Sequence, residues 1–167
     1  MQSDTSAQMQ IYKDYYKAMY NTSLRILKDE FEAEDIMQEA FLTAFTKLHT
    51  FKGEVTFGAW LKRIVVNKSL TQLKKNNTYK QVKMEVVHEH QTEEDEPVNY
   101  AELNASKVLE RLNSLKDNYR IVLTLHLIEG YDYEEISQIL NYTNENVRTT
   151  ISRAKKKLKQ LLVLETA

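Results

Sequence analysis

Three groups of side chains in this sequence have types and spacing suited to recognition. Asp35, Gln38, Glu39 and Leu42 share the outward face of one helix. Lys62, Arg63, Asn67 and Lys68 are interspersed among the apolar positions of the next, with Lys74-Lys75 beyond them. Arg148, Arg153, Lys155, Lys156, Lys157 and Lys159 lie away from the apolar stripe of a third, near the end of the chain. An acidic face can dock a cationic partner, and clustered Lys and Arg neutralise phosphates. An acidic face beside a basic one is also what ordinary solvated surface looks like, so spacing alone leaves both readings open.

Chemistry of other kinds lacks its residues. The sequence has no P-loop, no dinucleotide-type glycine pattern, no nucleophile elbow and no carboxylate cluster in an apolar setting. Zero Cys excludes disulfides, Cys-ligated zinc and Cys nucleophiles, and fits a reducing compartment. Of the four His, two stand in His88-Glu89-His90, which offers no complete ligand set with usable spacing. No metal, no cofactor, no small-molecule substrate and no catalytic residue is expected. The start of the chain has no apolar core, and no run approaches 18 apolar residues, so neither a signal peptide nor a membrane span is expected.

The elements that must carry these faces are helical. Three Gly and one Pro in 167 residues leave little material for the turns of a β-sandwich or barrel. Ile11, Tyr15, Met19, Thr22 and Ile26 step along one face of a first helix, over about Met9 to Lys28. Ala33, Ile36, Met37, Ala40, Phe41, Ala44, Phe45 and Leu48 mark a second, with Glu32, Glu34 and Asp35 at the end where carboxylates favour the helix dipole by ~0.3–1 kcal/mol each. Phe57, Trp60, Leu61, Ile64 and Val65 mark a third, and Trp60 is assigned to the core. Three such stripes suffice to close a small core.

Farther along, Val108, Leu109, Leu112 and Leu115 start a helix. The apolar run Tyr119–Ile128 continues as helix, with Gly130 as the residue that ends it. Asp132 followed by Glu135 is a capping-box pattern, and Ile136, Ile139 and Leu140 form a short buried face. Asn141-Tyr142 is a turn, with Asn able to take the left-handed conformation, and Thr143 is a second N-cap. Val147, Ile151, Ala154, Leu158 and Leu161 then step along a long helix. A short helix, a tight turn and a longer basic helix are the helix-turn-helix arrangement. In that arrangement the N-terminal half of the second helix would face the major groove and its basic C-terminal half would meet phosphates, while a plain helical hairpin with a solvated Lys-rich face fits the same spacing.

Two stretches carry a family resemblance. Glu34–Phe41, Phe51-Lys52-Gly53-Glu54 and Phe57–Asn67 resemble region 2 of bacterial sigma factors, most of all the extracytoplasmic-function group. Leu112–Leu162, with Tyr119-Arg120, Glu129-Gly130, Tyr133–Ile136, Val147-Arg148 and Arg153-Ala154-Lys155, resembles sigma region 4. The resemblance implies a promoter-specificity subunit of RNA polymerase. Asp35, Gln38 and Glu39 would bind the clamp coiled coil of the polymerase β′ subunit, with Phe41 anchoring the helix beneath. Lys52, Lys62, Arg63, Asn67 and Lys68 would open and hold the −10 element, with Asn67 at a flipped base. Arg148, Thr149, Ser152 and Arg153 would read the −35 element, with Lys155 and Lys156 on phosphates, while the same module touches the β flap. It further implies control by an anti-sigma factor, which could be a membrane protein, and a cytoplasmic location. Gly58-Ala59 departs from the family, where polar residues are commoner. Glu145-Asn146 and Thr150 depart in the −35 helix.

The expected fold is thus all-α: two small helical domains, residues 1–76 and 108–167, joined by a flexible acidic linker over 77–107. The net charge of −1 conceals this division. The first segment holds eleven Lys/Arg against nine Asp/Glu, the linker three against seven, and the last nine against eight. A near-neutral total therefore does not argue against nucleic acid as a partner.

Overall fold

A computed structural model describes residues 5–81 and 105–163, with side chains through Thr78 in the first stretch. The described residues are helical throughout, apart from turns and loops, and the chain divides into two compact units, Met1–Val86 and Val87–Ala167.

The first unit is built from α1 (Thr5–Leu27), α2 (Glu30–Thr46) and α3 (Phe57–Gln81), with a short 3₁₀ turn at Leu48–Thr50. Met19, Met37, Ala40, Phe41, Ala44, Leu61 and Val65 form its buried centre, and Ile11, Tyr15, Phe45, Phe57, Trp60 and Ile64 pack against them half-buried. Burial of each large side chain contributes roughly 1.5–3 kcal/mol. The expected stripes are therefore the core, with one exception. Leu48 stands in the 3₁₀ turn and is 44% exposed, because α2 ends two residues earlier. At its other end, α2 is capped by Asp29, whose carboxylate accepts from the Glu32 amide at 2.9 Å. Lys28, just before it, adopts a left-handed φ of 61° and closes α1 without a glycine.

Polar bonds fasten α3 to its neighbours. Ser23 and Ser69 hydroxyls meet at 3.0 Å in the buried α1–α3 contact, where small side chains let the backbones approach. Along the α2–α3 seam, Asn76 donates to both Glu32 carboxylate oxygens at 3.0 and 2.7 Å, and Gln72 donates to one of them at 3.3 Å.

The second unit contains α4 (Ala105–Ser114), α5 (Asp117–Leu123), α6 (Tyr133–Leu140) and α7 (Asn144–Val163). The apolar run is helical, but α5 gives way at Thr124–Ile128 to a wider π turn, in which the Glu129 amide reaches the Thr124 carbonyl at 3.0 Å. Gly130 follows at φ 82°, the left-handed position that ends the element. Its core takes in Leu112, Leu115, Val122, Leu123, Leu125, Ile136, Val147, Ile151, Ala154 and Leu158. Leu162 is buried at 8%, whereas the expected Leu161 is only half-buried: the last step of the stripe is four residues, not three. Among the described residues Arg120 is the one buried basic side chain, 1% exposed, and its guanidinium donates to Asp117 at 2.8 Å.

The acidic linker and the His88-Glu89-His90 motif fall largely or wholly outside the described residues. Where its ends are described, α3 runs on to Gln81 and α4 starts at Ala105, so helix extends into both margins of the expected 77–107 segment. No described helix is long and apolar enough to cross a membrane.

Candidate nucleic-acid and partner interfaces

On α2, the side that does not enter the core carries Asp35, Gln38 and Glu39, all exposed. Spacings of three and four residues place them on one face. Gln38 donates to Glu34 at 3.2 Å, which holds its amide along the helix. Leu42 is 68% exposed on the same face, and Phe31, four residues before Asp35, is 83% exposed. A face with a polar centre and large apolar side chains at its ends resembles a protein-docking surface more than plain solvated helix. Phe31 was not singled out from the sequence; its step of four to Asp35 was the available signal.

The basic residues of α3 do not form one patch. Arg63 and Asn67, four apart, share a face, and Asn67 is exposed with its side-chain amide unbonded among the described residues. Lys68 is turned toward α2 and donates to the Glu39 carboxylate at 3.1 Å. Lys62 is half-buried, and Lys52 stands exposed in the loop before α3.

That loop is fixed by aromatic packing. Phe51 meets Phe57 edge-on at 5.8 Å and Trp60 at 5.3 Å, and Phe57 meets Trp60 at 5.7 Å and Tyr15 at 5.6 Å. Trp60 is half-buried in this cluster rather than presented as a free platform. Gly53 takes φ 74°, which favours glycine. Thr56 caps α3, its hydroxyl accepting from the Ala59 amide at 3.3 Å. Gly58 has a local cause: a Cβ there would lie 2.8 Å from Tyr15 Cε1. Any side chain at this position would require the Tyr15 ring to shift.

In the second unit the helix-turn-helix has the expected joints. Asp132 accepts from the Glu135 amide at 2.8 Å, and Glu135 accepts from the Asp132 amide at 2.9 Å, completing the capping box. Asn141 adopts φ 57° and ψ 46°, and the Ser137 hydroxyl ties the turn to the Tyr142 carbonyl at 2.6 Å. Thr143 caps α7 by accepting from the Asn146 amide at 3.2 Å. With Val147, Ile151, Ala154 and Leu158 buried, α7 leaves Arg148, Thr149, Ser152, Arg153, Lys155 and Lys156 all exposed. Four cations and two hydroxyls thus line the outward side of the helix. One contact was missed from the sequence: the Arg148 guanidinium lies 5.5 Å from the centre of the Tyr133 ring.

Comparison with known proteins matches these two units in order. The family model for sigma-70 region 2 matches residues 11–78, and that for sigma-70, region 4 matches residues 105–158. The chain is 30% identical over 164 residues to the ECF RNA polymerase sigma factor SigW of Bacillus subtilis, covering 91% of this chain and 85% of that protein. It is 27% identical over 153 residues to SigM of the same organism, covering 91% and 93%. Among solved structures, the fold resembles sigma factor RpoE of Bartonella quintana, determined in complex with the anti-sigma factor NepR, with a TM-score of 0.63 at 24% identity over 92% of this chain and 95% of that one. It also resembles CnrH in complex with the cytosolic domain of CnrY, with a TM-score of 0.57 at 22% identity over 96% and 90%. With both regions matched in order, the chain belongs to the sigma-70 family as an ECF RNA polymerase sigma factor, a protein that directs promoter-specific transcription.

Proposed function

We propose a division of this activity among the three faces. The α2 face, with Asp35, Gln38 and Glu39 at its centre and Phe31 and Leu42 at its ends, docks on the β′ clamp coiled coil of RNA polymerase core. Arg63, Asn67 and Lys68 of α3, with Lys62 and the loop residue Lys52, hold the opened −10 element. A flipped base captured by Asn67 offsets an unstacking cost of a few kcal/mol, and an amide can both donate to and accept from a base edge. On α7, Arg148, Thr149, Ser152 and Arg153 read the −35 duplex, Lys155 and Lys156 contact phosphates, and the unit touches the β flap. Two weak contacts on one chain act together through effective concentration, so neither need be tight alone.

The domains are residues 1–76 and 108–167, with 77–107 as the tether. The protein acts in the cytoplasm as a dissociable subunit with no catalytic residues of its own. An anti-sigma factor controls it; the complex of the similarly folded RpoE with NepR supports a partner of that kind.

The observation that carries this reading is the exposed α2 face. A helix-turn-helix regulator acting without polymerase has no need of it. The test is run-off transcription with purified core polymerase on a genomic library. Enrichment of a defined promoter set is the expected result, and its absence overturns the reading.

A further inference from the structure

Arg148 stands three residues after Glu145 on α7, a spacing that permits an ion pair, yet among the described residues it makes none. Its guanidinium lies instead 5.5 Å from the centre of the Tyr133 ring, which stands at the first position of α6. That ring has support of its own. His126, in the π turn, lies 5.0 Å from it at a 31° tilt, and His126 Nδ1 sits 3.1 Å from the Tyr131 carbonyl oxygen. The Asp132 capping box fixes the backbone immediately before Tyr133. The π turn and the start of α6 thus support the one ring that Arg148 of α7 lies against.

Tyr133 is half-buried, and the core beneath α6 is filled by Ile136 instead. The Tyr133 hydroxyl makes no hydrogen bond among the described residues, so what the side chain offers is its ring face.

We propose that Tyr133 is a positioning residue for base reading, holding Arg148 in place for the edge of a guanine in the −35 duplex. The inference rests on the reading of α7 given above. A long Arg side chain loses rotamer freedom when it binds. Stacking on a ring removes part of that freedom beforehand and leaves the N–H donors free in the guanidinium plane. Those donors match the paired acceptors that guanine alone presents in the major groove. His126 braces the ring from the π turn before α6, while Tyr133 and Arg148 come from the two helices of the helix-turn-helix itself.

The test uses holoenzyme reconstituted with each variant and duplexes randomised upstream of the start site. Wild type should enrich guanine at one position, and Arg148→Ala should abolish that preference. Tyr133→Phe, which keeps the ring, should retain it. Tyr133→Leu should lower the same preference by about two- to fivefold, the strength of an exposed cation–π contact. In an Arg148→Ala background, Tyr133→Leu should change nothing further. If Arg148→Ala abolishes the preference and Tyr133→Leu leaves it intact, Tyr133 has no positioning role and the α7 reading stands. If Arg148→Ala has no effect, both fail. A uniform loss of enrichment with Tyr133→Leu, accompanied by a lowered melting temperature, would mark Tyr133 as structural only and overturn the proposal.

Discussion

Lys68 on α3 donates to Glu39 on α2 across 3.1 Å, with the carboxylate 60% exposed and the ammonium stem largely covered. The proposed function assigns these two residues to different macromolecules, DNA and polymerase, so in the free protein each is the other's partner. An exposed pair of this kind contributes only ~0.2–1 kcal/mol. It is weak enough to be exchanged when either macromolecule arrives.

Lys68→Ala should therefore change the stability of the first unit by less than ~1 kcal/mol. It should weaken binding to −10 DNA and lower the slope of log affinity against log salt by about one. Urea denaturation measures the first, and salt titration of holoenzyme on a promoter the second. An unchanged salt slope with weakened core binding would show that Lys68 serves only to brace Glu39.

Asp35→Lys with Glu39→Lys reverses charge on an exposed face that the core does not use. Core polymerase binding should be lost, and the thermal melt should stay within a few degrees of wild type. Co-elution with core on gel filtration, read beside circular dichroism, checks both; retained co-elution would sink the role of α2.

Gly58→Ala places a methyl 2.8 Å from the Tyr15 ring, which is itself packed edge-on against Phe57. Overpacking should outweigh the helix propensity gained and destabilise by about 1 kcal/mol net. Combining it with Tyr15→Leu should cost less than the sum of the two single changes, because the clash is then absent. Additive melting shifts would show that the ring already has room to move.

The joints of the helix-turn-helix have separate costs. Asp132→Ala removes one side of a capping box and should destabilise by about 1 kcal/mol. Asn141→Gly should be neutral or stabilising by a few tenths of a kcal/mol, since φ 57° suits glycine, while Asn141→Val should destabilise by at least ~1 kcal/mol. Chemical denaturation of the three variants ranks them; a stabilising Val would contradict the left-handed geometry.

Arg153→Ala should weaken promoter binding by ~1–3 kcal/mol and leave core binding intact. Filter binding with and without core separates the two effects, and loss of both would point to misfolding.

The amphipathic stripes were legible because burial repeats at helical spacing. Met19, Ile36, Ala40, Phe41, Leu61 and Val65 are buried where the periodicity puts them. The capping residues Asp132 and Thr143 were legible for a local reason, since an N-cap bonds within three residues of itself. What escaped were features set by distant partners or by backbone detail. Lys28 in a left-handed conformation has no compositional signal, and Asp29 was passed over as a cap in favour of the carboxylates after it. Glu32 looked like a dipole-favouring carboxylate, but its partners are Gln72 and Asn76, forty and more positions away. The π turn lies inside an apolar run whose composition suits a regular helix equally well. At the interfaces, the sequence placed Arg148 outward but could not reveal the ring beside it, because that contact depends on how α6 meets α7.

The seam between α2 and α3 has a mechanical meaning. Glu32 and Glu39 stand two turns apart on α2, and their partners Asn76 and Lys68 stand slightly over two turns apart, in reverse order, on α3. Two fasteners at separate heights resist sliding in a way that one cannot: slippage by a single turn, about 5.4 Å, parts both at once. In the free protein the seam therefore keeps α2 and α3 in one register, so the faces proposed for polymerase and for DNA hold a fixed spacing until the weaker fastener is exchanged.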